Sequence, residues 1–327
     1  MQNSSIMLSV TTIVFAGLLS ACGGGGGSSG LSYTGVTTAA IITSNNAETL
    51  ALESFSSSLD AGSSQNVASS VAVINAMTRS PDIGIVVSRL ISSSRTAAQG
   101  LVTTAADDSR ATLVSIQQTM TPMTGSCGGS ASGSLTIDDV TSDIYASIVF
   151  KNYCDAGVTL SGGMSFSLIL DTTSADYGLM TMTFDNIHAS DALESVAMSG
   201  SLLFDSLTLN PAISINMLLQ DPAGKVYKLK DFDMTMVSGT DGMGDYLDVS
   251  MTGRLYDPDY GYVDLSTSSA MRVYTGDNWP SSGIYVLTGK DGATATLTAS
   301  PSGYQVDVDA NADSIIDNTL TGTWAST

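Results

Sequence analysis

From Pro122 onward apolar and polar side chains alternate with period two, the pattern of strands that bury one face and leave the other in water. Ser132-Gly133-Ser134-Leu135-Thr136-Ile137 alternates cleanly. So do Met164-Ser165-Phe166-Ser167-Leu168 and Leu179-Met180-Thr181-Met182-Thr183-Phe184. Turn-forming clusters separate such runs at Asp155-Ala156-Gly157, Asp221-Pro222-Ala223-Gly224 and Lys290-Asp291-Gly292. Roughly a dozen strands follow one another without a helical run between them. Parallel strands need long crossovers, so the expected topology is an antiparallel meander, closed as a sandwich, left as an open sheet, or barrel-like.

A loose repeat runs through this region. Phe150-Lys151-Asn152-Tyr153 precedes Val158-Thr159-Leu160-Ser161-Gly162, and Phe184-Asp185-Asn186-Ile187 precedes Val196-Ala197-Met198-Ser199-Gly200. Leu229-Lys230-Asp231-Phe232 precedes Val249-Ser250-Met251-Thr252-Gly253. Each copy reads as a strand end, a turn, and a next strand carrying a glycine where the sheet bends or crowds. The irregular spacing makes it a recurring hairpin theme and not a solenoid.

Residues 33–121 show helical spacing instead. Asn45-Asn46-Ala47-Glu48 reads as a capping box, with Asn45 accepting a backbone N–H and Glu48 reaching back, ahead of Leu52, Phe55 and Leu59. Further helices are expected through Val67, Val71, Ile74 and Met77, through Ile83, Val86, Val87, Leu90 and Ile91, and through Leu113 and Ile116. The fold class is thus mainly β with a helical N-terminal region, the β domain covering 122–327.

The first residues add an address. Ile6 to Leu19 is an apolar run of signal-peptide length, too short for a spanning helix. It ends in Leu19-Ser20-Ala21-Cys22, which resembles the lipobox of bacterial lipoproteins. The resemblance implies a signal peptide over 1–21 and cleavage before Cys22, whose thiol takes the diacylglycerol. In that family a further acyl chain often joins the freed amine, and more than one chain is needed for firm anchoring. Met1 to Ser5 departs from the pattern in having no Lys or Arg. Residues 22–32 then form the lipidated cysteine and its tether, because Gly23 to Gly27 and Ser28-Ser29-Gly30 have little to bury. Gly23, and not Asp, after the cysteine resembles the outer-membrane sorting signal. The expected location is the bacterial cell envelope, lipid-anchored, at the outer membrane.

Charge and cysteines narrow the partners. The formal charge is −20, with 11 Lys and Arg against 31 Asp and Glu, and the leader contributes none of it. Nucleic-acid binding relies on basic residues that neutralise phosphate, so nucleic acid is excluded as a partner. The expected partners are the membrane, through the lipid, and a glycan or an envelope protein. With Cys22 acylated, Cys127 and Cys154 are left, and two cysteines in an oxidising compartment are expected to pair.

Tyr33-Thr34-Gly35, Thr37-Thr38, Ala40-Ile41-Ile42-Thr43 and Asn46-Ala47 resemble the start of a group of uncharacterised bacterial lipoproteins. That group also has a lipobox, a Gly/Ser tether, a cysteine pair and a β-rich end with a Tyr-Asp-Pro-type segment. Here those would be Cys127, Cys154 and Tyr256-Asp257-Pro258. The resemblance implies a location and no chemistry.

Two constellations are candidates for chemistry. Asp309, Asn311, Asp313 and Asp317 place side-chain oxygens at near-alternate positions of a short loop, resembling the Ca²⁺ loops of EF-hand-like and dockerin repeats. Ser314 stands where those loops carry Gly, and the bidentate Glu is missing. No other cofactor is implied. The second is the aromatic and acidic stretch Tyr256 to Tyr285, with Tyr256, Asp257, Asp259, Tyr260, Tyr262 and Trp279 as ligand-binding candidates, since rings beside carboxylates suit a sugar. Asp257 and Asp259 could also act as acid and base on a glycan, although carboxylates two apart across a Pro more often stand on a solvated turn. Gly26-Gly27-Ser28-Ser29-Gly30 matches a nucleophile elbow by letter only, in a tether with no strand before it. His188, the one histidine, lies in a strand-like stretch.

The sequence therefore points to an envelope-anchored lipoprotein acting as a non-enzymatic binding, adhesive or structural module, with no catalytic residue assigned. A glycan-active envelope enzyme using Asp257 and Asp259 is the alternative. An outer-membrane β-barrel component, suggested by many strands and a mean hydropathy of +0.21, is the third reading.

Overall fold

The structure is a computed structural model that describes residues 30–55, 116–119 and 122–324, the last span excepting 139–140, 142, 156, 172–175, 191–194, 206–211, 222, 276 and 278. Its strands are β1 (Ile116–Thr119), β2 (Met123–Gly125), β3 (Gly128–Ile137), β4 (Ile144–Asp155), β5 (Val158–Asp171), β6 (Asp176–Ser190), β7 (Ser195–Asp205), β8 (Ala212–Gln220), β9 (Val226–Asp241), β10 (Gly244–Asp257), β11 (Gly261–Tyr274), β12 (Ser282–Thr288), β13 (Thr294–Ser300), β14 (Gly303–Asp309) and β15 (Asn318–Gly322). From β3 to β15 each pairs antiparallel with the next. β1 and β2 both pair with β3, on its two halves, so they are pieces of one edge strand parted at Pro122, which has no N–H to give a ladder. The result is one antiparallel meander, and of the three expected closures it is the open sheet.

Register follows from burial. One row across the sheet runs Leu135, Ala146, Phe166, Met182, Leu202, Ile215, Phe232, each opposite the next and each buried. The neighbouring row faces outward and runs Thr119, Ser134, Ser147, Ser165, Thr183, Ser201, Asn216. A slip of one residue would exchange these rows, burying hydroxyls and exposing Leu, Phe and Met. Inward side chains of β3 to β14 belong to a single hydrophobic cluster, rich in methionine on β5 to β11.

The repeated sequence theme is a line of β-bulges. Asn152, Asn186 and Asp231 take left-handed backbone, with φ of 48°, 50° and 48°, at register shifts in β4, β6 and β9. Asn and Asp tolerate this conformation better than other side-chain-bearing residues. The glycines of the theme sit against these bulges. A Cβ on Gly162 would lie 2.3 Å from the carbonyl oxygen of Asn186 and one on Gly253 2.9 Å from that of Asp231, while one on Gly200 would lie 2.2 Å from that of Asn216, the residue opposite the Asp231 bulge. Bulges add twist and bend, so the sheet curves along this line.

Several expectations for the N-terminal region need correction or comment. Residues 30–43 are largely extended, Ala39 bridging Tyr262 in parallel and Lys290 N–H donating to the Ala40 carbonyl (2.7 Å). A helix, α1 (Ala47–Phe55), follows, and it packs on β13 and β14 with Ala47, Leu50, Ala51 and Ser54 buried. The capping box does not form. Asn46 directly precedes the helix and accepts from the Thr43 N–H (2.8 Å), while Glu48 accepts from the Tyr304 hydroxyl (2.8 Å). Tertiary partners win over the local motif. Ile116, assigned by its spacing to a helix, opens strand β1 instead. The helices expected through Val67–Met77 and Ile83–Ile91 lie outside the described residues, as does the leader with Cys22.

Candidate functional site

β10 and β11 meet at Pro258-Asp259-Tyr260, a turn built on Asp257. This residue is buried, and its Oδ1 accepts from the backbone N–H of Asp259 (2.8 Å) and of Tyr260 (2.9 Å). A carboxylate so bonded is a turn cap. Asp259 is ion-paired with Lys225. The pair proposed from sequence as acid and base is therefore committed to the hairpin.

The extended N-terminal segment covers this turn. The Tyr33 hydroxyl donates to the Asp257 carbonyl (2.8 Å), and its ring meets Tyr256 edge-on at 5.6 Å. Burial, followed by the charge of Asp257, pushes the Tyr33 hydroxyl up to about 12. Tyr256 contacts Tyr262 across the strands (5.4 Å), the Lys228 ammonium lies over Tyr256 (5.0 Å), and the Arg254 guanidinium lies over Tyr262 (3.9 Å). Arg254 also holds Asp264 by two bonds (2.6 and 2.9 Å), which raises its pKa. Tyr260 is exposed on the turn.

Trp279 is elsewhere. It follows the far end of β11, a strand of 14 residues, and stacks on Trp324 (5.1 Å, 3° between planes). Trp324 packs on Tyr304 (5.0 Å) and donates to the Ser300 carbonyl (2.8 Å). The stretch Tyr256 to Tyr285 is thus not one aromatic site. Tyr256, Asp257, Asp259, Tyr260 and Tyr262 stand together, and Trp279 belongs to a second group.

A further polar group escaped the sequence reading. Arg272 holds Asp248 by two bonds (both 2.8 Å), reaches Asp241 (3.2 Å), and lies over the Tyr246 ring (3.6 Å), which meets Tyr274 at 5.9 Å. Its pKa is raised, first by the bond to Asp248, while that of Asp241 is lowered, chiefly by the Met243 N–H. This is the Arg254 arrangement turned end for end. The signal was present: Tyr246-x-Asp248 with Arg254-x-Tyr256 on β10 recurs as Tyr262-x-Asp264 with Arg272-x-Tyr274 on β11. The copy on β11 is two residues longer, and the β10–β11 register shifts by two between Val249 and Thr252.

The Asp309–Asp317 loop joins β14 to β15. Asp309 Oδ2 accepts from Ser314 N–H (2.8 Å), Asn311 Oδ1 from Asp313 N–H (3.0 Å), Asp313 Oδ1 from Ile315 N–H (2.8 Å) and Asp317 Oδ2 from Ala310 N–H (2.8 Å). As these side chains lie, no three His, Cys, Asp or Glu among the described residues are grouped to hold a metal ion. His188 is exposed on β6.

Cys127 and Cys154 form a disulfide with their Cα atoms 5.1 Å apart, tying the β2–β3 turn to the end of β4. The outward hydroxyl rows of β3 to β6 border a shallow groove of about 280 Å³, lined by Ser134, Thr136, Ser147, Ser165, Ser167, Thr181 and Thr183. Ala146, Phe166 and Tyr145 complete the lining, and of these Tyr145 is 47 % exposed. Comparison with family models, curated proteins and solved structures finds no match to this chain.

Proposed function

We propose that the chain is a lipoprotein held in the bacterial outer membrane through Cys22, and that its sheet is a non-enzymatic binding module for a polyhydroxylated polymer such as an envelope glycan. The observation that carries the binding reading is the groove on the outward face. Hydroxyls recur there about every 4.8 Å from strand to strand and can both donate and accept. Beside them the exposed Tyr145 ring offers the flat apolar surface on which a sugar stacks. The groove thus replaces the Tyr256 group as the best candidate for ligand binding.

Two facts favour this over the alternatives. An enzyme using Asp257 and Asp259 would have to free one from two backbone N–H bonds and the other from Lys225. A membrane barrel needs an outward apolar band, whereas the outward row from Thr119 to Asn216 is Ser, Thr and Asn throughout. Export is supported by the leader and tether in the sequence, and by a disulfide, which persists in oxidising compartments.

Two experiments test the reading. Cells fed labelled palmitate should yield a labelled product, and Cys22→Ala should release it from the membrane fraction; an unlabelled product in the same fraction would refute the anchor. Purified protein should co-sediment with peptidoglycan sacculi or an insoluble polysaccharide, and Tyr145→Ala should weaken this at least about fivefold. Binding unchanged in Tyr145→Ala, or glycan turnover that Asp257→Asn abolishes, would overturn it.

A further inference from the structure

We propose that the β14–β15 loop, from Asp309 to Asp317, is a Ca²⁺ site. The decisive group is Asp309. Along β14 the outward positions are Gln305, Asp307 and Asp309, of which Gln305 is exposed and Asp307 half-buried. Asp309 continues that polar face yet is only 7 % exposed, because the loop folds back over it. One of its oxygens, Oδ2, accepts from Ser314 N–H across the loop. The other, Oδ1, is buried and has no hydrogen-bond partner.

An anionic oxygen shut away from water without a donor is costly, and a native structure keeps one only where something compensates. Here the compensation must be positive, since the carboxylates of Asp309, Asp313 and Asp317 share the loop and none of them is ion-paired with Lys or Arg among the described residues. The available donors are all hard oxygens, the kind that Ca²⁺ takes six to eight of, with water completing the set. Asn311 adds a neutral amide oxygen and Ile315 a backbone carbonyl at the spacing such loops use. As the side chains lie, Asp313 is turned to Asn311 Nδ2 (3.1 Å) and Asp317 to Ala310 N–H, so binding would swing these two carboxylates inward beside Asp309 Oδ1. Ser314, at φ 66°, holds the left-handed bend that lets the loop close over the ion. The site is remote from the Tyr145 groove in the strand order and stands or falls apart from it.

The test is calorimetric titration of CaCl₂ into the purified full chain after EDTA treatment, with thermal melts alongside. One site per chain is expected, with Kd about 10⁻⁴–10⁻³ M, as in extracellular calcium modules. At about 10 mM CaCl₂ the melting temperature should rise by about 3–8 °C, and MgCl₂ should raise it less. Asp309→Asn should weaken binding at least about tenfold. Asp313→Asn, at an exposed position, should do the same while melting in EDTA like the wild type, so loss of binding there is not loss of fold. No heat and no shift with the wild type, wild-type affinity in Asp313→Asn, or an equal response to Mg²⁺ would overturn the proposal.

Discussion

Replacing Cys127 and Cys154 together by serine removes a cross-link that closes a loop of 27 residues. In the folded protein the two ends are already neighbours, since Gly128 pairs with Cys154 across β3 and β4 and the Cys127 N–H donates to the Cys154 carbonyl (3.1 Å). The bond therefore adds little to the native contacts and acts mainly on the unfolded chain. Loop-closure entropy for this separation gives about 3.5 kcal/mol at 25 °C. For a domain of this size that corresponds to a melting temperature lower by about 7–14 °C. Urea unfolding at neutral pH should show the same loss as a shifted midpoint, and oxidised wild type treated with a reductant should move to the position of the double variant. If reduction leaves the midpoint within about 0.5 kcal/mol of the oxidised protein, the cross-link does not restrict the unfolded chain as reasoned.

Gly162→Ala should destabilise by at least about 2 kcal/mol, because the position combines φ of 112° with a Cβ 2.3 Å from the Asn186 carbonyl; a neutral result by urea denaturation would mean that the bulge line yields easily. Leu202→Ala, at a fully buried position in the middle of the apolar row, should cost about 2–5 kcal/mol by the same assay, and a cost below about 1 kcal/mol would contradict the burial described. Alkaline titration tests the tyrosines. Burial raises Tyr33 and Tyr304 to about 12, so in the unfolded chain both ionise near 10 while in the folded protein they stay neutral. Their contribution is complete below pH 10 and is lost as pH rises from 10 through 12. Melting temperatures should fall across that interval and fall less in Tyr33→Phe; parallel curves for the two proteins would refute the assignment.

How much of this was legible depended on what each pattern reports. Period-two alternation reports burial of one face, and every run singled out for it, from Ser132–Ile137 to Leu179–Phe184, lies in a strand. The turns at Gly157, Gly224 and Gly292 fall between strands for the same reason: they were read from backbone requirements. The recurring Asn or Asp with its later glycine was visible, but its cause was not, since the glycine answers to a carbonyl on a neighbouring strand and not to its own turn. Local motifs failed where distant partners intervened. Glu48 had a hydroxyl to meet on β14, and Trp279 a ring near the C-terminus. Ile116 was misread because a strand of four residues is too short to show its period. The Asp257–Asp259 pair reads in sequence as carboxylates on a turn across a Pro, but the bonds by which Asp257 caps that turn, and Lys225 beside Asp259, come together only on folding.

The line of bulges has a consequence for how hairpins find one another. Gly162 and Gly200 each fill a notch cut to the width of a bare backbone, and each notch belongs to the following strand. At Gly200 a slip of one residue would bring Ser199 or Ser201 to that notch and be rejected on contact, before any long-range packing had formed. Proofreading of alignment is thus distributed along the meander, strand by strand, and does not wait for the finished core.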